Sequence, residues 1–197
     1  MKQRSVWRFY AAPVAVMVLA YLLPMAASVA AVRAGEPNAL KAREEIAGKL
    51  GSALPLATAS RQIRGGQYVR ATFTVFLWNF VVGAVAMSAL VGGLFFAFPP
   101  AVATTRGALL GLFYDPAALE GTRGLVTVVT GLLELPCYMM AGALGIRLGL
   151  AWLRPPRRER LREVWEQAKW SLPAVGLLLL LAAVWEVGGI FLLMRRP

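Results

Sequence analysis

Five side chains are polar or charged where the surrounding sequence is apolar: Asn79, Arg106, Glu134, Arg147 and Glu186. A charge at the centre of a bilayer costs about 2.5–3.5 kcal/mol on insertion scales, so such a residue faces the protein interior or a cavity and is a functional candidate. An amide and two carboxylates in separate spans can line a path for a proton or small solute. They can equally bond neighbouring helices as interhelical glue worth about 0.6–2 kcal/mol. Arg147 would stand about 20 Å from Glu134 along a continuous helix, too far to pair with it. Arg106 is the cation expected to approach Glu134.

The residues needed for most other chemistry are missing. There is no histidine, and Cys137 is the single cysteine. Ser-His and Cys-His pairs, a Cys/His zinc cluster and a phosphate-cradling GxxxxGK[ST] loop are therefore excluded. The expectation is a non-enzyme with no cofactor and no metal. An intramembrane enzyme acting on lipid-linked substrates is the least supported alternative, because no nucleophile and base stand together. Cys137 falls within an apolar run and reads as a core residue.

The elements that must position these groups follow from hydropathy. The 197 residues are 58% hydrophobic and 16% charged, with mean hydropathy +0.62, against roughly a quarter charged in a soluble domain. Residues 9–32 carry no charge and outrun the roughly 7–15 residues of a secretory h-region, so they read as an uncleaved first span. Further apolar stretches cover 71–98, 124–153 and 172–194, while 101–114 is shorter, contains Arg106 and ends at Asp115-Pro116. This segment is either a short span or a re-entrant half-helix.

The polar segment 33–70 predicts a short helix capped by Asn38, with Leu40, Ala47, Leu50 and Leu54 on one face and Lys41 paired to Glu45. It lies at the membrane interface or in solvent. Residues 154–169 are densely charged, with Leu161, Val164, Trp165 and Ala168 on a common face, as in a basic amphipathic helix on an anionic membrane surface or a solvated connector. The fold class is all-α: one polytopic membrane domain over 1–197, of about five spans including the short or re-entrant one, with two amphipathic interfacial helices.

The net charge of +11, from 21 basic and 10 acidic residues, would suggest nucleic acid in a soluble protein. Here the cations flank the apolar runs, where they fix topology and attract anionic headgroups of the lipid bilayer, and nucleic acid is not expected. Placing the 154–169 block inside favours five crossings with the N-terminus cytoplasmic, in the cytoplasmic membrane.

Small residues complete the pattern. Ala84, Ser88 and Gly92, then Gly107 and Gly111, then Gly145 and Gly149, repeat at four-residue spacing, with Gly142 nearby. Such residues let helices approach closely in lipid, within one chain or in a homo-oligomer. Pro136, two residues after Glu134, predicts a kink or break.

The order Trp78-Asn79, Gly92-Gly93, Gly107-Ala-Leu-Leu-Gly111, Glu134-Leu-Pro136 and Ala141-Gly142-Ala-Leu-Gly145-Ile-Arg147-Leu-Gly149 resembles the stage II sporulation protein M family. The late Ala182-Ala183-Val-Trp-Glu186 is similar to that family's final span. Val129-Thr130-Gly131 and Arg106-Gly107 stand where the family usually has Pro-His-Gly and Asn-Gly, so no histidine role carries over. The resemblance implies an all-helical membrane protein of about five spans and, from the namesake, a scaffold for protein partners. A membrane scaffold or complex subunit is thus the leading expectation, and a channel or transporter using Asn79, Glu134 and Glu186 is the alternative.

Overall fold

The structure is a computed structural model describing residues 6–50, 54–113 and 121–194. The flanking Lys2 and Arg4, the Asp115-Pro116 break and the terminal Arg195 and Arg196 lie outside the described residues. Within them every element is helical: α1 (Val6–Arg33), α2 (Pro37–Leu50), α3 (Leu54–Arg64), a composite second long helix, α6 (Phe98–Phe113), α7 (Gly121–Leu153) and α8 (Arg157–Met194). The composite helix comprises α4 (Tyr68–Leu77), a π-helical stretch Trp78–Leu90 and α5 (Val91–Leu94). Four stretches are long and apolar enough to cross a membrane: Phe9–Arg33, Tyr68–Leu94, Gly124–Leu153 and Arg157–Leu192. At 16 residues α6 is about 24 Å long, shorter than a typical hydrocarbon core.

At the centre of the bundle is α7. Its residues 141–146 are buried without interruption, as expected of a helix surrounded by protein rather than lipid. Small side chains make that possible. A Cβ on Gly145 would run into the Ser88 carbonyl, one on Gly149 would stand 2.8 Å from the Gly92 carbonyl, and one on Gly142 would strike Met17. The α1 and α6 helices run parallel through the same device, Gly107 lying on the Tyr21 carbonyl and Gly111 on that of Met25. Antiparallel to α7 runs α8, which places Val175 beside Cys137 and Gly189 against Val126.

The π-helical stretch is the largest departure from expectation. Its bonding reaches five residues back, as in the Val91 amide to the Ala86 carbonyl, and the Ser88 hydroxyl donates to the Gly83 carbonyl at 2.7 Å. Ala84, Ser88 and Gly92 are buried as their spacing predicts, but so are Gly83, Ala89 and Gly93. Gly83, Ser88 and Gly93 recur at five-residue intervals, as do Ala84 and Ala89, so the wider turn presents a broader strip of small residues to α7. A π-helix is rare and found mostly as single turns, often at functional sites.

Several local expectations are corrected. Segment 33–70 forms two helices rather than one. Gly35 (φ +70) and Gly66 (φ +72) follow α1 and α3 and close left-handed C-caps. In each, the next amide bonds the carbonyl five residues back, Glu36 to Ala31 and Gln67 to Gln62. Glu36, not Asn38, caps α2: its carboxylate accepts the Ala39 amide at 2.6 Å, with Pro37 as first helical residue. On α2, Leu40 and Ala47 are exposed, while Ala39, Ala42 and Ile46 are half-buried. The side chains of Leu50 and Leu54 lie outside the described residues. The expected Lys41–Glu45 contact forms at 4.0 Å between exposed groups, which contributes little.

Residues 154–169 do not form a separate surface helix. From Arg157 they run straight into the last span as one helix of 38 residues, and Val164 and Ala168 are buried against Phe9, Tyr10 and Ala151. The protein core therefore occupies the face expected to meet lipid headgroups, while Trp165 and Trp170 stay exposed. Nor does Pro136 break α7, which is continuous from Gly121 to Leu153. Pro136 lies on the exposed side of the helix.

Two outcomes test this packing. Gly145→Leu should destabilise the detergent-solubilised protein by about 1–3 kcal/mol or more through overpacking, read as a fall in its unfolding midpoint, whereas Gly188→Leu, in open space, should not. The Ala39 amide, then that of Asn38, holds the Glu36 carboxyl below the usual carboxylate range. A depressed folded pKa means that the stabilisation is complete above the unfolded value and disappears as pH falls through the folded one. Amide exchange at Ala39 should therefore show protection at neutral pH that fades in acid, and Glu36→Gln should abolish that pH dependence.

Candidate functional site

The candidate polar residues gather around the middle of α7. At 3.6 residues per turn, Thr130, Glu134 and Tyr138 share one face of that helix. Asn79, in the first turn of the π-helical stretch, donates its amide to Glu134 Oε1 at 2.6 Å. Glu186 on α8 and Arg106 on α6 both lie within electrostatic reach of Glu134. Four helices thus contribute to one cluster, and all four of these residues are half-buried.

Arg106 does not form the expected ion pair with Glu134. Its guanidinium lies over the Tyr138 ring, 4.1 Å from the centroid, where the electron-rich face of a desolvated aromatic ring can contribute about 2 kcal/mol. Gly83 makes room for both groups: a Cβ there would stand 3.0 Å from the Tyr138 ring and 3.2 Å from the guanidinium. Tyr138 is the functional neighbour that the sequence reading missed. Its position one turn after Glu134 was the available signal.

Arg147 belongs to a different place. It lies near the start of α1, its guanidinium 4.9 Å from the Phe9 ring centroid, beside a hydrogen bond of 3.0 Å from the Tyr10 hydroxyl to Ser171. Around the cluster, the Trp185 indole donates to the Val126 carbonyl at 3.2 Å. That oxygen is also the natural acceptor for the Thr130 hydroxyl, one turn on, which has no hydrogen-bond partner. Cys137 is buried, its thiol 3.2 Å from the Leu133 carbonyl, as a core residue should be. The glycines Gly92, Gly107, Gly111, Gly142, Gly145 and Gly149 all sit at helix contacts rather than in the cluster.

Two spaces adjoin Arg106. One is a cavity of about 10 Å³ beside Tyr21, Ser88 and Tyr138, room for about one water. The other is a groove of about 460 Å³ between the composite helix and α6. Asn79, Glu134 and Glu186 line neither. Among the described residues no group of three or more Asp, Glu, Cys or His side chains could hold a metal.

What the arrangement does chemically is to satisfy a carboxyl group, away from water, with an amide donor from another helix. Replacing Asn79 and Glu134 by leucine singly and together should give a coupling of about 0.6–2 kcal/mol in a double-mutant cycle of unfolding in micelles. A coupling near zero would show that the pair does not hold these helices together.

No curated protein and no solved structure matches the chain. A family profile described as stage II sporulation protein M matches residues 9–188, which takes in the central α7 helix, the Asn79–Glu134 pair and the glycine contacts. With a match of that extent on a bundle of long apolar helices, the chain belongs to the stage II sporulation protein M family and is a multi-pass membrane protein.

Proposed function

We propose that the protein is a non-catalytic scaffold or complex subunit of the cytoplasmic membrane, crossing it five times with its N-terminus inside and recruiting partner proteins. The observation that carries this reading is that Glu134 accepts the Asn79 amide at 2.6 Å and lines neither of the two spaces beside Arg106. A carboxyl group committed to a neighbouring helix serves architecture, whereas a transported ion or proton needs a path to and from it. The parallel course of α6 and α1 supports a fifth crossing. The packing glycines on α6 and α7, Gly107, Gly111, Gly142, Gly145 and Gly149, contact helices of the same chain, so these contacts require no oligomer.

Partner recruitment would use surfaces left open by this packing. On α2 the side chains of Lys41, Arg43, Glu44, Glu45 and Lys49 are all exposed, and the cap at Glu36 and the turn at Gly35 fix how that helix leaves α1. The exposed Trp165 and Trp170 with their basic neighbours suit an anionic membrane surface on the opposite side.

The rival reading, a channel or transporter, draws on the proximity of Glu134 to Glu186 and on the unbonded Thr130 hydroxyl. One pair of experiments separates the two. Crosslinking in membranes followed by affinity purification of the tagged chain should return the same membrane or cell-envelope proteins reproducibly; recovery of the chain alone would count against the scaffold. In proteoliposomes, proton or solute flux should be absent, and flux abolished by Glu134→Gln in a folded protein would establish the rival.

A further inference from the structure

Arg106 also lines the groove of about 460 Å³. The walls are Trp78, Val82 and Met87 from the π-helical stretch and Phe98, Ala101 and Thr105 from α6. On the α6 side, beside Phe98 and Val102, the wall includes the exposed Ala101 and Thr105, the Thr105 hydroxyl bonded back to the Ala101 carbonyl at 3.1 Å. Small and hydroxyl residues facing outward from a helix in lipid are what close approach by another helix requires. A guanidinium lining such a groove adds a demand for negative charge, because an arginine in the hydrocarbon region needs a partner.

That partner is not found among the described residues. Among the described residues, no carboxylate lies within ion-pair distance of Arg106: its guanidinium stands over the Tyr138 ring, and Glu134 is within electrostatic reach without direct contact. Glu134 is bonded by Asn79. Glu186 precedes Val187, which packs on Ala71 at the opposite end of the composite helix from the groove's Met87. Among the described residues of the spans, a second copy in the same orientation therefore offers no free carboxylate at the level of Arg106.

Depth decides between a lipid and a protein. Gly107, next to Arg106, lies on the carbonyl of Tyr21, and Tyr21 is midway along the span Phe9–Arg33, about 18 Å from either end. Lipid headgroups belong toward the ends of an apolar span, and the guanidinium stands over the Tyr138 ring instead. Acyl chains that do reach this depth carry no charge.

We infer that the groove between the Trp78–Leu90 stretch and α6 is an intramembrane docking site for a transmembrane helix of a partner protein that carries an aspartate or glutamate at the level of Arg106. This rests on the scaffold reading and names the chemistry of the partner it recruits. The partner's carboxylate meets the guanidinium over Tyr138, and its helix backbone approaches along Ala101 and Thr105.

The test uses the full chain in its native membranes with a photocrosslinking amino acid at Thr105 in the groove, at Leu181 on the exposed face of α8, or at Glu44 on α2. Thr105 should give an adduct whose partner peptide, by mass spectrometry, is a transmembrane segment containing Asp or Glu, and Leu181 should not. Arg106→Leu should reduce that adduct by about tenfold or more, and Arg106→Lys should retain most of it. Ala101→Phe, which fills the groove without touching the guanidinium, should reduce it likewise and decides the matter if Arg106→Leu does not fold. Exchanging the charges, Arg106→Glu with lysine at the partner's acidic position, should restore the adduct. Adducts from Thr105 to lipid only, to a second copy of the chain or to a helix without an acidic residue would overturn the inference, as would an adduct indifferent to both Arg106→Leu and Ala101→Phe. If Glu44 still yields protein adducts in those cases, the groove is wrong and the scaffold stands; if neither position yields a protein, both fall.

Discussion

Close approach of helix backbones is the constraint on which this bundle rests. Lipid tails are as apolar as leucine, so burying apolar side chains gives helices in a membrane no reason to prefer one another over solvent. What remains is contact at short range and hydrogen bonding. Gly145 on the Ser88 carbonyl, Gly149 on that of Gly92 and Gly107 on that of Tyr21 bring Cα–H groups against carbonyl oxygens, contacts that each contribute weakly but recur along the interface. Helix α7 supplies most of these positions, which is why it can be buried through 141–146 and still be touched on all sides.

The polar cluster depends on that packing. Asn79 reaches Glu134 because the composite helix and α7 run side by side at the distance set by the small residues below them. The π-helical stretch contributes as well. Turns that close five residues back place Gly83 under Arg106 and Tyr138 while keeping Ser88 and Ala89 on α7, so one helix serves both the glycine contacts and the cation on its aromatic ring. The rarity of this geometry is consistent with a stretch retained for what it positions.

Polar groups in the bundle divide by level. Near the start of α1, Arg147, Tyr10 and Ser171 join α1, α7 and α8 beside the basic half of α8. In the middle stand Asn79, Glu134 and Arg106, with Glu186 beyond them toward the end of α8. Outside the spans, two glycine-capped turns carry α2 and α3, whose charged side chains face solvent.

By itself the sequence determined the solvent, the all-helical class and the identities of the intramembrane polar groups. Long uncharged runs bounded by arginines are local properties that fix spans, and the order of Trp78-Asn79, Glu134-Leu-Pro136 and the 141–149 glycines carried the family. The turns at Gly35 and Gly66, which divide the segment 33–70 into two helices, were not read from it. Nor were the partners. Whether Glu134 meets Arg106 or Asn79 depends on the rotation of helices separated by 55 residues in the chain, and a π-helical stretch shifts that rotation without any mark in hydropathy. The amphipathic pattern of 154–169 was real, but only tertiary structure decided that Val164 and Ala168 pack on Phe9 and Ala151 rather than on lipid, because periodicity specifies a face and not what covers it.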